Sequence, residues 1–208
     1  HEQPGPLGGL VATGMAGPAR ISAGGVRDHV LGLAMFNGLG QHLRFGGQVM
    51  KNVAGYDVSR LMAGSMGTLG LITEVSLKVL PLPVMDATLM LAMPQEVALA
   101  SLQRWAAQPL PLNASCWVYD ATASSPQGYL FVRLRGARAA VQSAENRLLA
   151  EVQSLGYAGR AMEPAEAAND WRACANQTLP FFNAIPSPEH ALWRLSVPPT
   201  APAFEGPS

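Results

Sequence analysis

The long alternating run Thr68–Leu80, TLGLITEVSLKVL, stops at Pro81-Leu82-Pro83, and this break constrains the fold more than any other feature of the chain. Leucine and β-branched residues alternate there with Thr73, Glu74, Ser76 and Lys78, the pattern of a half-buried strand. Proline has no amide hydrogen for a sheet ladder and fixes its own φ, so two prolines in three residues end the strand. The 208 residues therefore divide into a first domain, 1–83, and a second, 84–208.

Upstream of the break, residues 7–25 read LGGLVATGMAGPARISAGG, with glycine at 8, 9, 14, 17, 24 and 25. Six glycines in nineteen residues far exceed the background of about 7%. Small side chains cannot build a core layer, whereas exposed backbone can approach another molecule closely. The segment reads as a loop lying against a ligand. Residues 28–37 and 41–45, joined through Gly38-Leu39-Gly40, predict a β-hairpin. Residues 57–63 predict a short helix with Asp57 as its N-cap. A third glycine group, Gly64, Gly67 and Gly70, is spaced by three but precedes a strand, so it is no Rossmann fingerprint.

Downstream the order changes to strand 84–93, helix 95–107, strands 114–120 and 128–135, helix 138–155 and a strand near 157–162. This is the ferredoxin-like arrangement, helices on one face of an antiparallel sheet. A short helix at 165–176 and a last strand at 190–197 follow. Val141, Leu148, Leu149, Val152 and Leu155 mark a core-facing helix stripe. Trp105, Trp117, Trp171 and Trp193 all fall in this domain, as packing residues or as the lining of a cavity or partner surface. The fold class expected is α+β.

Fourteen basic residues balance fourteen acidic ones, and only 13% of residues are charged, so no basic field exists to attract nucleic acid or an anionic membrane. No apolar run reaches the about 18 residues needed to span a bilayer, and no signal-peptide pattern opens the chain. A soluble, cytoplasmic protein is expected. Low charge with a positive mean hydropathy of +0.14 leaves two readings open, apolar surface covered by a partner or an alanine-rich interior filled by a cofactor. Cys116 and Cys174 lie far apart in sequence and outside any C-x-x-C pair, so iron–sulfur or zinc binding is not expected and both read as core fillers. The start at His1 and the patternless TAPAFEGPS after residue 199 read as a chain entered and left part-way.

Read in order, GGLVATGMAGPARISAGGVRDHVLGL and FGGQVMKNVAGYDVSRLMAGSMGTLGLITEVSLKVLPLP resemble the second half of the PCMH-type FAD-binding domain of the vanillyl-alcohol-oxidase superfamily, in particular the flavin subunits of glycolate-oxidising complexes. The resemblance covers residues 7–83 specifically and the rest by architecture, where it implies a ferredoxin-like substrate or cap domain, incomplete at its C-terminus. It implies FAD as cofactor. A non-Rossmann fold must hold the pyrophosphate with backbone amides from glycine-rich turns. The residues it assigns to the cofactor are Gly8, Gly9, Thr13, Gly14, Gly17, Gly24, Val26, Gly70, Leu71 and Ile72.

Lys51, Asn52 and Tyr56 are the polar candidates near the flavin, with Lys51 and Tyr56 the weak catalytic candidates; solvated or structural roles are the alternative. Arg27 and Asp28 read as a hydrogen-bonded pair that fixes the glycine loop, and His29, His42 and His190 are not assigned to chemistry. No H-x-x-H metal motif occurs, and no metal is expected. The activity implied is oxidation of a small 2-hydroxy acid, glycolate to glyoxylate. Electrons would pass through the flavin to an iron–sulfur subunit in a complex holding a second FAD-type subunit, and any membrane association would come through those partners. A non-catalytic FAD-carrying or assembly subunit, and an oxidase of another 2-hydroxy acid such as lactate, stay open. The chain by itself is expected to bind FAD weakly or not at all.

Overall fold

Asp57 starts a helix as its position predicts: its Oδ1 accepts from the Arg60 amide at 3.1 Å, and its Oδ2 lies 3.3 Å from Arg60 Nε. The structure is a computed structural model that describes residues 5–47, 55–120, 127–183, 187, 189–198 and 200–203. The chain separates into two compact units, 1–82 and 83–208. The first contains α1 (Leu7–Thr13), α2 (Arg20–Ala23), α3 (Val26–His29), β1 (Val30–Phe36), β2 (His42–Gly46), α4 (Val58–Leu61) and β3 (Leu71–Leu77). Its three strands form an antiparallel sheet in the order β2-β1-β3. The hairpin register runs from Phe36 opposite His42 to Gly32 opposite Gly46. Two small apolar clusters hold the unit, one of Val11, Val30 and Ala63, the other of Leu33, Met35 and Met62, and Ile72 of β3 packs on both. Asp57→Ala is expected to destabilise this unit by about 1 kcal/mol, the usual value of an N-cap, read as a lowered midpoint in urea.

The segment expected to be a glycine loop is partly helical. Leu7, Leu10 and Val11 recur at helical spacing, and Val11 is fully buried against Val30 and Ala63. Pro6 occupies the N-cap, and Gly14, at φ 62°, closes α1 by donating its amide to Leu10 O and Val11 O, each at 3.1 Å. Glycine in a helix costs up to about 1 kcal/mol. At Gly8 and Gly9 packing outweighs that propensity, because α1 lies on β3.

The second unit contains β4 (Met85–Ala92), α5 (Gln95–Ala106), β5 (Leu112–Asp120), β6 (Gln127–Gly136), α6 (Arg138–Ser154), β7 (Gly159–Ala161) and α7 (Pro164–Asn176), followed by a single turn, α8 (Pro180–Asn183). The sheet order is β5-β6-β4-β7, with every pair antiparallel. This is the ferredoxin-like order: α5 carries the chain from β4 to β5 past the place that β6 later fills, and α6 carries it from β6 across β4 to β7. Leu89, Leu91, Leu130, Val132 and Leu134 face Ala98 and Trp105 of α5 and Val141, Ala144, Leu148 and Val152 of α6. α7 packs on β4, with Trp171 Nε1 donating to Thr88 Oγ1 at 2.9 Å.

Residues 190–197 do not form the expected strand. They run without regular structure, their side chains exposed, and Trp193 is 80% accessible. Alternation makes a strand possible, but a strand persists only where a sheet edge supplies its hydrogen-bond partners, and this segment pairs with none of the described strands. Among the described residues no helix is long and apolar enough to cross a membrane.

Candidate functional site

The fold brings the first and third glycine groups together. Gly64 N donates to Val11 O at 3.0 Å and Met66 N to Ala12 O at 2.8 Å, so the end of α1 and the turn after α4 are stitched along their backbones. A Cβ on Gly14 would stand 3.0 Å from Gly64 Cα, so the close approach requires glycine at 14. Gly8 sits over Ile72, its added Cβ reaching Ile72 O at 3.7 Å. Gly8, Gly14 and Ile72, assigned separately to a cofactor, thus share one patch of this unit. Leu71 is adjacent but 68% accessible.

The remaining assigned residues are used by the chain itself. Thr13 Oγ1 donates to Gly9 O at 2.9 Å within α1. Gly24, at φ 87°, ends α2, and Val26 packs beside Val11 and Val30. Gly17 lies in the exposed connection before α2, where its carbonyl accepts from Arg20 N at 3.1 Å. Gly70 has φ 150° and an added Cβ would fall 2.5 Å from Phe36 O, so the sheet alone demands glycine there.

Arg27 and Asp28 both fix the loop, but not as a pair. Asp28 Oδ2 accepts from the Gly25 amide at 2.8 Å, while Arg27 Nε donates to Arg60 O at 3.2 Å. Asp28 is in the first turn of α3, where a carboxylate serves the free amides of the helix start, and that local use outcompetes an ion pair. His29 is held between two carbonyls, Nε2 at 2.9 Å from Ala23 O and Nδ1 at 3.2 Å from Lys78 O. Tyr56 is 96% accessible. Lys51 and Asn52 lie outside the described residues.

Sequence reasoning missed Ser65. Its hydroxyl is buried with no hydrogen-bond partner, between Gly64 and Met66 of the turn that meets α1. Beside it, added Cβ atoms on Gly64 and Gly67 would meet nothing within 4 Å, and Leu7, Leu10, Met66, Leu69 and Leu71 are exposed. A donor without a partner, open turn backbone and uncovered apolar side chains form a surface suited to a ligand with both polar and flat apolar parts. The signal in the sequence is the glycine on either side of Ser65-Met66.

In the second unit an open cleft of about 490 Å³ is lined by Trp117, Tyr119, Tyr157, Gln95, Glu96 and Gln127 among others. Trp117 and Tyr119 stack at 6.4 Å, and Trp117 Nε1 donates to Met93 O at 3.1 Å, which fixes the ring. Among the described residues no group of three or more His, Cys, Asp and Glu side chains is arranged to hold a metal.

Over 200 residues, 96% of this chain, the sequence is 42% identical to the glycolate oxidase subunit GlcE of Escherichia coli. The chain is similar to that subunit over nearly the whole of its own length. It spans 50% of the length of GlcE. Two shorter similarities accompany it: 40% identity over 84 residues to the glycolate oxidase subunit GlcD of Bacillus subtilis, and 42% over 77 residues to a D-lactate dehydrogenase of Anaerostipes hadrus. These cover 40% and 37% of this chain, and 18% and 16% of the respective proteins. No protein-family model matches the chain. Among solved structures, an alkyldihydroxyacetonephosphate synthase superposes with a TM-score of 0.62 over 80% of this chain and 37% of its own, at 18% identity. That likeness concerns fold alone, and the chain has the expected α+β architecture. The similarity to GlcE extends through both compact units, whereas the other two relatives match less than half of the chain.

Proposed function

We propose that this chain belongs to the FAD-binding subunit of a cytoplasmic glycolate oxidase complex, which oxidises glycolate to glyoxylate and passes the electrons to an iron–sulfur subunit, with a second FAD-type subunit in the same assembly. The observation that carries the reading is the 42% identity to GlcE over 96% of the chain. The chemistry FAD supplies when bound is two-electron acceptance.

The residues present fit such a cofactor. Gly8, Gly9 and Gly17 would offer backbone amides to the pyrophosphate and Gly14, whose amide closes α1, would allow close approach, and Gly70, Leu71 and Ile72 would border its far end. Thr13 would contribute through its backbone, its hydroxyl being engaged within α1. Gly24 and Val26 would hold the shape of the loop. The buried, unpartnered Ser65 hydroxyl supports a polar ligand at this patch. The second unit would border the substrate, and the weak catalytic candidates Lys51 and Tyr56 remain part of the reading.

Deleting the segment that encodes this chain from its native gene is expected to abolish glycolate-dependent reduction of an indophenol dye in cell extracts, and restoring it to return the activity. Undiminished glycolate activity in the deletion strain would overturn the reading. The similarity to a D-lactate dehydrogenase supports a second reading, oxidation of another 2-hydroxy acid. Loss of lactate-dependent reduction with glycolate activity intact would favour it.

A further inference from the structure

The two cysteines, which the sequence places 58 residues apart, share one face of the second sheet with its covering helix. Cys116 of β5 is opposite Phe131 of β6, and Phe131 is opposite Met90 of β4. Side chains of directly opposed residues point to the same side, and residues two apart along a strand do as well, so Cys116 shares its face with Thr88. α7 lies on that face, anchored by the hydrogen bond from Trp171 to Thr88 and by the Arg133 guanidinium 5.8 Å from the Trp171 ring centroid. Cys174 follows Trp171 by three residues and therefore points to the same side of α7. The two thiols interact there, both free and both half-buried.

We propose that Cys116 and Cys174 are a modification site, a dithiol that closes reversibly into a disulfide pinning α7 to the edge strand β5. Their chemistry is asymmetric. The hydrogen bond from Cys116 lowers the Cys174 thiol to about 7, against the opposing effect of burial. The same bond, then burial, then the charge on Cys174, push the Cys116 thiol well above the ordinary thiol range. Cys174 is the nucleophile and Cys116 the resolving thiol.

With hydrogen peroxide as oxidant, the Cys174 thiolate attacks one peroxide oxygen and the O–O bond breaks. Cys174 becomes a sulfenic acid, and the departing hydroxide takes up a proton to leave as water. The Cys116 proton passes to the sulfenic oxygen while its sulfur attacks Cys174. The S–O bond breaks, the S–S bond forms and a second water leaves. Two thiols lose two electrons and two protons, and one peroxide becomes two waters. A dithiol reductant reverses the change.

The test treats the native chain with hydrogen peroxide, blocks residual thiols with N-ethylmaleimide and maps disulfides by mass spectrometry. Expected results are a linked Cys116–Cys174 peptide pair, its loss with dithiothreitol, and slower amide exchange in α7 of the oxidised chain. Urea-denatured chain should form the link at least tenfold more slowly, because the fold supplies the juxtaposition. In Cys116→Ala, peroxide should leave a dimedone-reactive sulfenic acid at Cys174. In that variant the pH midpoint of Cys174 alkylation should move up from about 7 to about 8.5, the ordinary thiol value. A link formed equally fast in native and denatured chain, links only between copies, or an unchanged alkylation midpoint in Cys116→Ala would each overturn the proposal.

Discussion

Replacing Trp105 by alanine is expected to cost the C-terminal unit about 3–5 kcal/mol, the range for truncating a buried aromatic side chain. Trp105 is fully buried between the sheet and the helices, in one cluster with Leu89, Leu130 and Leu148. Its indole nitrogen donates to Glu151 Oε1 of α6 at 3.1 Å, and Arg104 donates to the same oxygen at 2.7 Å. The substitution thus removes a core side chain and half of the polar link between α5 and α6. Glu151→Ala isolates the second part. It leaves the indole N–H without its acceptor and is expected to cost about 1–3 kcal/mol.

The same link has a pH signature. Burial works against ionisation of Glu151, but the hydrogen bonds from Arg104 and Trp105 outweigh it and hold the carboxyl below the usual range. A depressed folded-state value means that the stabilisation is complete above the unfolded value of about 4.3 and fades as pH falls through the lower folded one. The stability loss caused by Glu151→Ala should therefore shrink on acidification below about pH 4. A urea-unfolding difference between the two proteins that stays constant down to pH 2 would contradict the assigned link.

Legibility of the fold followed how local each determinant is. Alternation identified β4 and β6, and the Val141-to-Val152 stripe identified α6, because period and burial agree within each segment. The Asp57 cap is a contact between neighbours in sequence. α1 was missed because its stability is tertiary: Gly8 and Gly9 argue against a helix until Val11 is placed on Val30 and Ala63. The segment 190–197 failed in the opposite sense, since a pattern fit for a strand found no edge to pair with. In the site, the glycine groups were legible as places of close approach. Their mutual stitching through Gly64 N and Val11 O, and the meeting of Cys116 with Cys174, depend on contacts between distant segments that no local pattern encodes.

Gly70→Ala is expected to destabilise the N-terminal unit by about 4 kcal/mol, the joint scale of a strained backbone (about 1–3) and an overpacked contact (about 1–3). At φ 150° an L side chain is disfavoured, and the new Cβ would fall 2.2 Å from Met35 Cε and 2.5 Å from Phe36 O. Met35 can yield at its flexible end only by disturbing its cluster with Leu33 and Met62, and Phe36 O belongs to the backbone at the end of β1. Gly8→Ala is the contrast: its Cβ would meet Ile72 at ordinary van der Waals distances of 3.7–4.0 Å. Alanine also favours the helix by about 0.5–1 kcal/mol, so this variant should be neutral or slightly more stable. If both glycines also border the cofactor, Gly8→Ala lowers flavin occupancy of the intact subunit without lowering its urea midpoint, whereas Gly70→Ala lowers both. A Gly70→Ala protein with an unchanged midpoint would remove the packing explanation and leave ligand contact as the reason for glycine at that position.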